Sequence, residues 1–372
     1  MKLNKNIIGL ILGPILFSAI MIFVDSEGLS FEAKCILAST AWMAIWWVTE
    51  CVPISVTALL PIVLFPLTGG MDLSTTTAAY GHKLVFLFVG GFLIALAIEK
   101  WHLHKRLALN IIRFTGSNKS RVILGFMIAT AFLSMWISNT ATSIMILPVG
   151  LAIISQLKDD PKTKENENEI FGKSLMIAIA YSASIGGMAT LIGTPPNMVL
   201  AGVVEESYGI KLNMFDWMKF GVPLSSFLLI VCWFYLTKIA FKFNNEEFSA
   251  GQDEIHRQIK NLGNFSNEEI KVLIVFTLTA LGWIFRGRIE TIFPMIDDTI
   301  IAISFAVTLF IIPTKSQKAK TKLLVWEDTV KLPWGILILF GGGMAIASAF
   351  GKSGLALWIA DLLQNLDNVS LF

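Results

Sequence analysis

Ser138-Asn139-Thr140 stands at the centre of VILGFMIATAFLSMWISNTATSIMILPVGLAIISQL, residues 122–157, a run of 36 residues without an Asp, Glu, Lys or Arg. Basic residues flank it on both sides: Lys119 and Arg121 before, Lys158, Lys162 and Lys164 after. Cytoplasmic loops of membrane proteins are enriched in Lys and Arg, so both ends of the run belong on the cytoplasmic face. A segment that enters and leaves on one face must turn back inside the bilayer. At 1.5 Å per residue each arm of about 16–18 residues reaches roughly 25 Å, well into a hydrocarbon core of about 30 Å. Non-helical backbone at that depth survives only where it is buried in protein or lines a cavity. The triplet therefore reads as the tip of a re-entrant helical hairpin that forms a binding site.

The rest of the chain supplies the membrane setting. Of 372 residues 55% are hydrophobic and 15% charged, against about 25% charged in soluble domains. Net charge is +2, with the charges gathered into loops, so it says nothing about partners; no nucleic-acid partner is expected. Cys35, Cys51 and Cys232 are odd in number and lie in or beside apolar runs, which suits core packing without a disulfide framework. The run from Ile7 to Val24 is too long for a signal-peptide core and becomes the first span. Further spans are expected near 35–49, 54–70, 84–101, 174–204, 218–240, 269–286, 297–313 and 333–350. An inside N-terminus places Lys100, Lys105, Arg106, Arg113, Lys119, Arg121 and the lysines at 315–322 inside. The scheme holds only if 122–157 is a hairpin and not a crossing. His102 and His104 read as surface residues of a basic loop. The polar stretches 158–173 and 241–268 read as solvated connectors, with spacing compatible with short surface helices.

The segment from Leu87 to Leu103 overlays Leu339 to Leu355 at an offset of 252, with nine of 17 positions identical, including two glycines and the pair Lys100/Lys352. The expected topology runs the two copies in opposite directions, which is the mark of an inverted-repeat secondary transporter. The expected layout is an N-terminal span over 1–31, a first inverted repeat over 32–217 with its re-entrant hairpin at 119–157 and a broken helix at 174–204, and an incomplete second repeat over 218–372. The same offset puts a second Ser-Asn-Thr tip near position 390, past Phe372, so the chain reads as truncated. The fold class is an all-α polytopic membrane protein.

Chemistry concentrates in two places. Ser134 precedes Ser138 by four residues, so on a helical arm their hydroxyls share a side below the turn. With Asn139 and Thr140 they offer hard oxygen ligands suited to Na⁺, while the start of the returning arm offers free N–H groups suited to an anion. The second place is Ser184-Ile185-Gly186-Gly187, then Gly193-Thr194-Pro195-Pro196-Asn197. Its prolines break an apolar helix, and such breaks mark transporter sites. A phosphate-binding loop is excluded by the absence of Lys-Ser/Thr after the glycines. Neither metal-ligand spacing nor an intramembrane Ser-His-Asp or paired-carboxylate set is present, so an enzyme has no supporting residues. Glu50, at the end of its span, reads as a capping or snorkelling residue.

Three motifs together resemble the divalent-anion/sodium symporters, which include dicarboxylate, citrate and sulfate carriers. They are Ser138-Asn139-Thr140-Ala141-Thr142, Gly193-Thr194-Pro195-Pro196-Asn197, and Trp46-Trp47-Val48-Thr49-Glu50 leading into Pro53 and Leu59-Leu60-Pro61. The resemblance implies Na⁺-coupled transport across the cell membrane by homodimers whose transport domain moves elevator-fashion, with Na⁺ as coupling ion and no cofactor. It implies a Na⁺ site of Ser134, Ser138, Asn139 and a carbonyl of Gly186 or Gly187. Substrate, a C4-dicarboxylate such as succinate or malate, would meet Asn139, Thr140, Thr194 and Pro195. The family's second hairpin tip and second Na⁺ site have no counterpart in this chain. A proton-coupled or exchanging carrier of citrate or sulfate, and a non-transporting truncated partner, remain the alternatives.

Overall fold

The computed structural model describes residues 5–116, 118–155, 167–241, 249–315 and 322–366. Helices account for all the regular structure among them, apart from one isolated bridge between Pro313 and Lys322. The chain opens with α1 (Lys5–Phe23), α2 (Phe31–Thr49), the short α3 (Ile54–Thr57), α4 (Leu60–Thr68) and α5 (Leu73–Tyr80). Next come α6 (Lys83–Lys100), α7 (Leu103–Phe114), α8 (Lys119–Ser134), α9 (Asn139–Ile154), α10 (Glu167–Gly187) and α11 (Pro195–Tyr208). The last third holds α12 (Met214–Phe234), α13 (Ser249–Leu262), α14 (Asn267–Ile284), α15 (Arg286–Glu290), α16 (Asp298–Ile311), α17 (Trp334–Lys352) and α18 (Leu355–Leu366). Among the described residues, five stretches are long and apolar enough to cross a membrane: 6–23, 73–100, 169–187, 214–240 and 334–352. In α1, Ile7, Ile8, Leu10, Ile11 and Ile15 are all exposed, as expected of a helix whose solvent is lipid. The protein is an all-α polytopic membrane protein.

Two compact units form, each drawn from separate parts of the chain. One comprises 1–86, 199–212 and 333–372, the other 87–198 and 213–332. The first has a core of Ala33, Ile36, Phe65, Met71, Ala345, Ala349 and Leu355. Ser30 caps α2 by accepting from Ala33 N–H, and Glu50 ends it with a left-handed φ of 49°. Glu50 is thus the capping residue that its position suggests. Cys35 donates to the Thr68 carbonyl, and all three cysteines are free thiols. Expected span 54–70 is divided into α3 and α4, with Pro61 in the first turn of α4, where a missing N–H costs nothing.

The second unit contains both motifs. Two 16-residue helices, α8 and α9, are joined by the four-residue turn 135–138, and both pack on α10. Expected span 174–204 is indeed broken: α10 stops at Gly187 and α11 starts at Pro195. Two corrections concern the segments set aside as polar loops. Residues 103–114 form an amphipathic helix, α7, that buries Leu103, His104, Arg106, Ala108, Leu109 and Ile112. His104 is therefore a core residue, 2% exposed, while His102 remains exposed. Similarly, α13 occupies much of 241–268, packs on α7 and α9, and buries Glu254 and Ile255. Of the stretch 158–173, residues 158–166 lie outside the described residues, and the rest belongs to α10.

Arg106 shows why a buried cation is tolerated in α7. Its guanidinium donates to Glu269 through Nε (2.9 Å) and Nη2 (3.2 Å), and to the carbonyls of Leu262, Gly263 and Asn264. Phe265 covers its face at 4.3 Å. With a bond from each of its three nitrogens, the desolvation of both charges is offset by directed bonds.

The offset of 252 reappears in the backbone. Helices α7 and α18 run over 103–114 and 355–366, equal in length and displaced by that number. Each follows its predecessor through a left-handed residue at the corresponding position, His102 (φ 58°) and Gly354 (φ 76°). Gly90 and Gly342 also correspond. A Cβ on Gly90 would fall 2.8 Å from the Ala302 carbonyl carbon, and one on Gly342 2.5 Å from the Ala58 carbonyl oxygen.

Candidate functional site

The turn 135–138 carries a hydrogen-bonded logic of its own. Ser138 caps α9, its hydroxyl accepting from Ala141 N–H at 3.3 Å, which leaves the other N–H groups of the first turn without an intrahelical partner. Ser143 Oγ donates back to the Asn139 carbonyl at 2.9 Å. At the far side of the turn, Thr190 donates to the Met135 carbonyl, so the broken segment of α10–α11 braces the hairpin tip directly.

Asn139 is the hub. Ser134, fully buried at the end of α8, lies 2.7 Å from its side-chain amide. Turned with its nitrogen inward, that amide donates to the carbonyls of Ala183 and Gly193, each at 3.2 Å, and to Ser134 Oγ at 2.7 Å. Turned the other way, it presents its oxygen to the Ser134 hydroxyl. The C-terminal ends of α8 and α10 and the N-terminal end of α9 thus meet at one residue. Two negative helix ends and one positive end converge there.

Glycines set how closely the pieces approach. A Cβ on Gly186 would fall 2.2 Å from the Ala131 carbonyl oxygen of α8, and one on Gly187 2.4 Å from Asn139 Oδ1. One on Gly193 would meet the Gly187 carbonyl oxygen at 2.4 Å. The Gly-Gly pair is therefore imposed by the hairpin, and Gly193 by the return of the broken helix.

The freed carbonyls of the break are mostly claimed by named donors. Asn197 Nδ2 donates to Gly187 O at 2.9 Å and Thr190 O at 2.7 Å. From α12, Trp217 Nε1 donates to Met188 O at 2.9 Å and Ser225 Oγ to Ile185 O at 2.7 Å. Of the residues singled out from the sequence, Ser134, Asn139, Gly187 and Gly193 come together. Thr194 and Pro195 are half-buried where α11 begins, and Thr140 is exposed at the start of α9. Gly187 O is occupied by Asn197 and Gly186 O accepts from Ala189 N–H. The carbonyls that face Asn139 belong to Ala183 and Gly193. Residues that sequence reasoning passed over are Ala183, Thr190, Trp217 and Ser225. Asn197 was visible only as the end of a proline motif.

Residues 4–370 match the family described as the sodium:sulfate symporter transmembrane region. The chain belongs to that family. It is 42% identical over 371 residues to proteins named sodium-dependent dicarboxylate transporter SdcS from Staphylococcus aureus strains bovine RF122 / ET3-1 and USA300. The alignments cover 98% of this chain and 71% of each relative. Membership makes the protein a transporter and not an enzyme.

Proposed function

We propose that the chain carries out sodium-coupled symport of a C4-dicarboxylate, such as succinate or malate, across the cell membrane. The observation that carries this reading is the convergence at Asn139. With its amide oxygen inward, Asn139 faces the Ser134 hydroxyl and the carbonyls of Ala183 and Gly193, a set of neutral hard oxygens that fits Na⁺ far better than a transition metal. Beside it the first N–H groups of α9 present the positive helix end that attracts a carboxylate. Sodium and anion then stabilise one another: the cation supplies positive charge beside the anion, and the anion completes the field around the cation. Asn139 would touch both, and Thr140, Thr194 and Pro195 would meet the carboxylate. The relatives' name, sodium-dependent dicarboxylate transporter, agrees with this pairing of solutes.

Site residues from Ser134 to Asn197 all fall in one compact unit, which suits an elevator-type alternating-access cycle in which the cargo travels with a single body. The arms of α8 and α9, about 24 Å each at 1.5 Å per residue, are shorter than the hydrocarbon core. That length supports a hairpin entering and leaving on one face. The basic flanks support a cytoplasmic N-terminus. The protein is expected to work as a homodimer.

Reconstituted protein should take up radiolabelled succinate down an imposed Na⁺ gradient, and replacing Na⁺ by choline at fixed pH should stop it. Asn139→Ala should abolish the Na⁺-dependent component. Uptake unchanged in Asn139→Ala would refute the site. Uptake surviving in choline would point to proton coupling or exchange.

A further inference from the structure

The two lysines related by the 252-residue offset have different fates. Lys100, in the last turn of α6, holds Asp328 at 2.6 Å, and Asp328 also accepts from Val325 N–H at 2.9 Å. Asp328 lies on a short 3₁₀ helix, Trp326–Lys331. Subtracting 252 from 326, 327 and 328 gives Ser74, Thr75 and Thr76, on α5. Lys352, in the last turn of α17, lines a cavity together with Ser74 and Thr75, while Thr76, the counterpart of Asp328, is fully buried and donates to the Asp72 carbonyl. Where the first lysine meets a carboxylate, the second shares a cavity with hydroxyl residues. Among the described residues Lys352 forms no ion pair or hydrogen bond.

The cavity measures about 320 Å³ and is lined by Ser74, Thr75, His82, Glu206, Ser348 and Lys352 on a floor of Ala78, Ala79 and Met344. All lie in the first compact unit. Ser348 is 8% exposed, lines the cavity and has no hydrogen-bond partner among the described residues. His82 Nδ1 accepts from Leu84 N–H at 3.3 Å, so in the neutral ring Nε2 carries the proton and is a donor. Thr75 is turned to Asp72, whose carboxylate accepts its N–H at 2.9 Å. The neighbouring Lys83 is neutralised by Glu205 at 2.6 Å. Glu206, exposed on the rim, is the one acidic group in the lining.

We propose that this cavity binds a small divalent oxyanion, a dicarboxylate or sulfate, with one of its anionic groups beside Lys352, which among the described residues has no carboxylate partner such as Lys100 has in Asp328. Lys352 provides the charge, and Ser348, Ser74 and His82 provide neutral donors. Glu206 opposes the ligand and sets an upper limit on affinity. A volume at the low end of ligand pockets admits one small ion and no larger cofactor. No residue of the site at Asn139 takes part, so this is a second anion site and does not depend on the hairpin reading.

The test is equilibrium dialysis of the purified chain with [³⁵S]sulfate and, in parallel, [¹⁴C]succinate, in sodium-free choline buffer. Saturable binding is expected with at least one of the two ions, the better binder naming the class. Lys352→Gln should weaken it at least about tenfold, as expected for loss of a charge-assisted contact. Ser348→Ala should weaken it less, and Glu206→Gln should strengthen it. Asn139→Ala should leave it unchanged. Lys352 and Glu206 are exposed, so wild-type melting temperatures are expected for both variants. Absence of saturable binding, binding indifferent to Lys352→Gln, or binding lost in Asn139→Ala would each overturn the proposal. Succinate uptake that survives Asn139→Ala would refute the hairpin site while leaving this one standing.

Discussion

At Gly186 and Gly193 an added methyl group would strike backbone, and at Gly187 the side chain of Asn139. At Gly186 the obstacle is the Ala131 backbone, with three of its atoms within 2.6 Å of an added Cβ. Backbone cannot swing aside as a side chain can. Gly186→Ala is expected to destabilise the protein by about 1–3 kcal/mol, the usual cost of overpacking. Gly343→Ala is the control: it lies inside α17 with nothing within 4 Å of the added methyl, and should be neutral or stabilise by up to about 1 kcal/mol. Denaturant unfolding in detergent, followed by circular dichroism, separates the two. Equal midpoints for both variants would mean that α8 does not press on α10 as described. Gly186 and Gly187 were legible as a place of close approach, because paired glycines in an apolar helix have few other uses. What approached them was not legible, since Ala131 is an unremarkable residue 55 positions earlier.

Among the elements, α12 acts as a splint along the broken helix. Trp217 and Ser225 each donate to a carbonyl that the break releases, at Met188 and Ile185. A buried carbonyl deprived of its donor is costly, and Met188 follows directly after the glycine against which Asn139 packs. Trp217→Phe keeps the ring bulk and deletes the N–H. Its expected effect, given a net hydrogen-bond worth of about 0.5–1.5 kcal/mol, is a rise of roughly two- to tenfold in the Na⁺ concentration for half-maximal uptake, with a smaller change in maximal rate. A change in maximal rate alone would show that α12 does not shape the cation site. Sequence gave no access to this role: a Trp and a Ser on a neighbouring span carry no pattern that names the carbonyls they serve. The hairpin was accessible for the opposite reason. A 36-residue charge-free run with basic ends is a long-range pattern that few structures satisfy.

Across the whole molecule, titration links the buried face of α7 to stability. His104 Nδ1 donates to the Ile98 carbonyl at 3.3 Å, and burial, aided by Lys105 and His102 nearby, pushes its pKa down to about 4. An unfolded histidine titrates near 6.5. Between those values the unfolded chain binds a proton that the folded one refuses, so stability rises with pH across the interval. This contribution is complete above pH 6.5, declines as the pH is lowered, and levels off near 4. Melting temperatures recorded from pH 7.5 to 4.5 should fall, and the fall should be shallower in His104→Gln; parallel curves would exclude the assignment. Sequence misplaced this histidine for a plain reason. Counting charges over 100–121 favours a loop, and the periodicity of Leu103, Leu109 and Ile112 that marks a helix is diluted by basic residues on its other face. Placement of the long apolar spans was readable, because membrane helices declare themselves by length. Amphipathic helices beside them do not.

The cage around Asn139 also has a genetic consequence. Its walls at 186, 187 and 193 depend on a carbon atom being absent, and every glycine codon lies one base from an alanine codon. The smallest coding change available at these positions leaves each polar ligand in place, alters no charge and barely moves hydropathy. It would still pry the hairpin from the broken helix. A variant of that kind would look silent to any comparison of binding residues, and only the backbone distances would announce it.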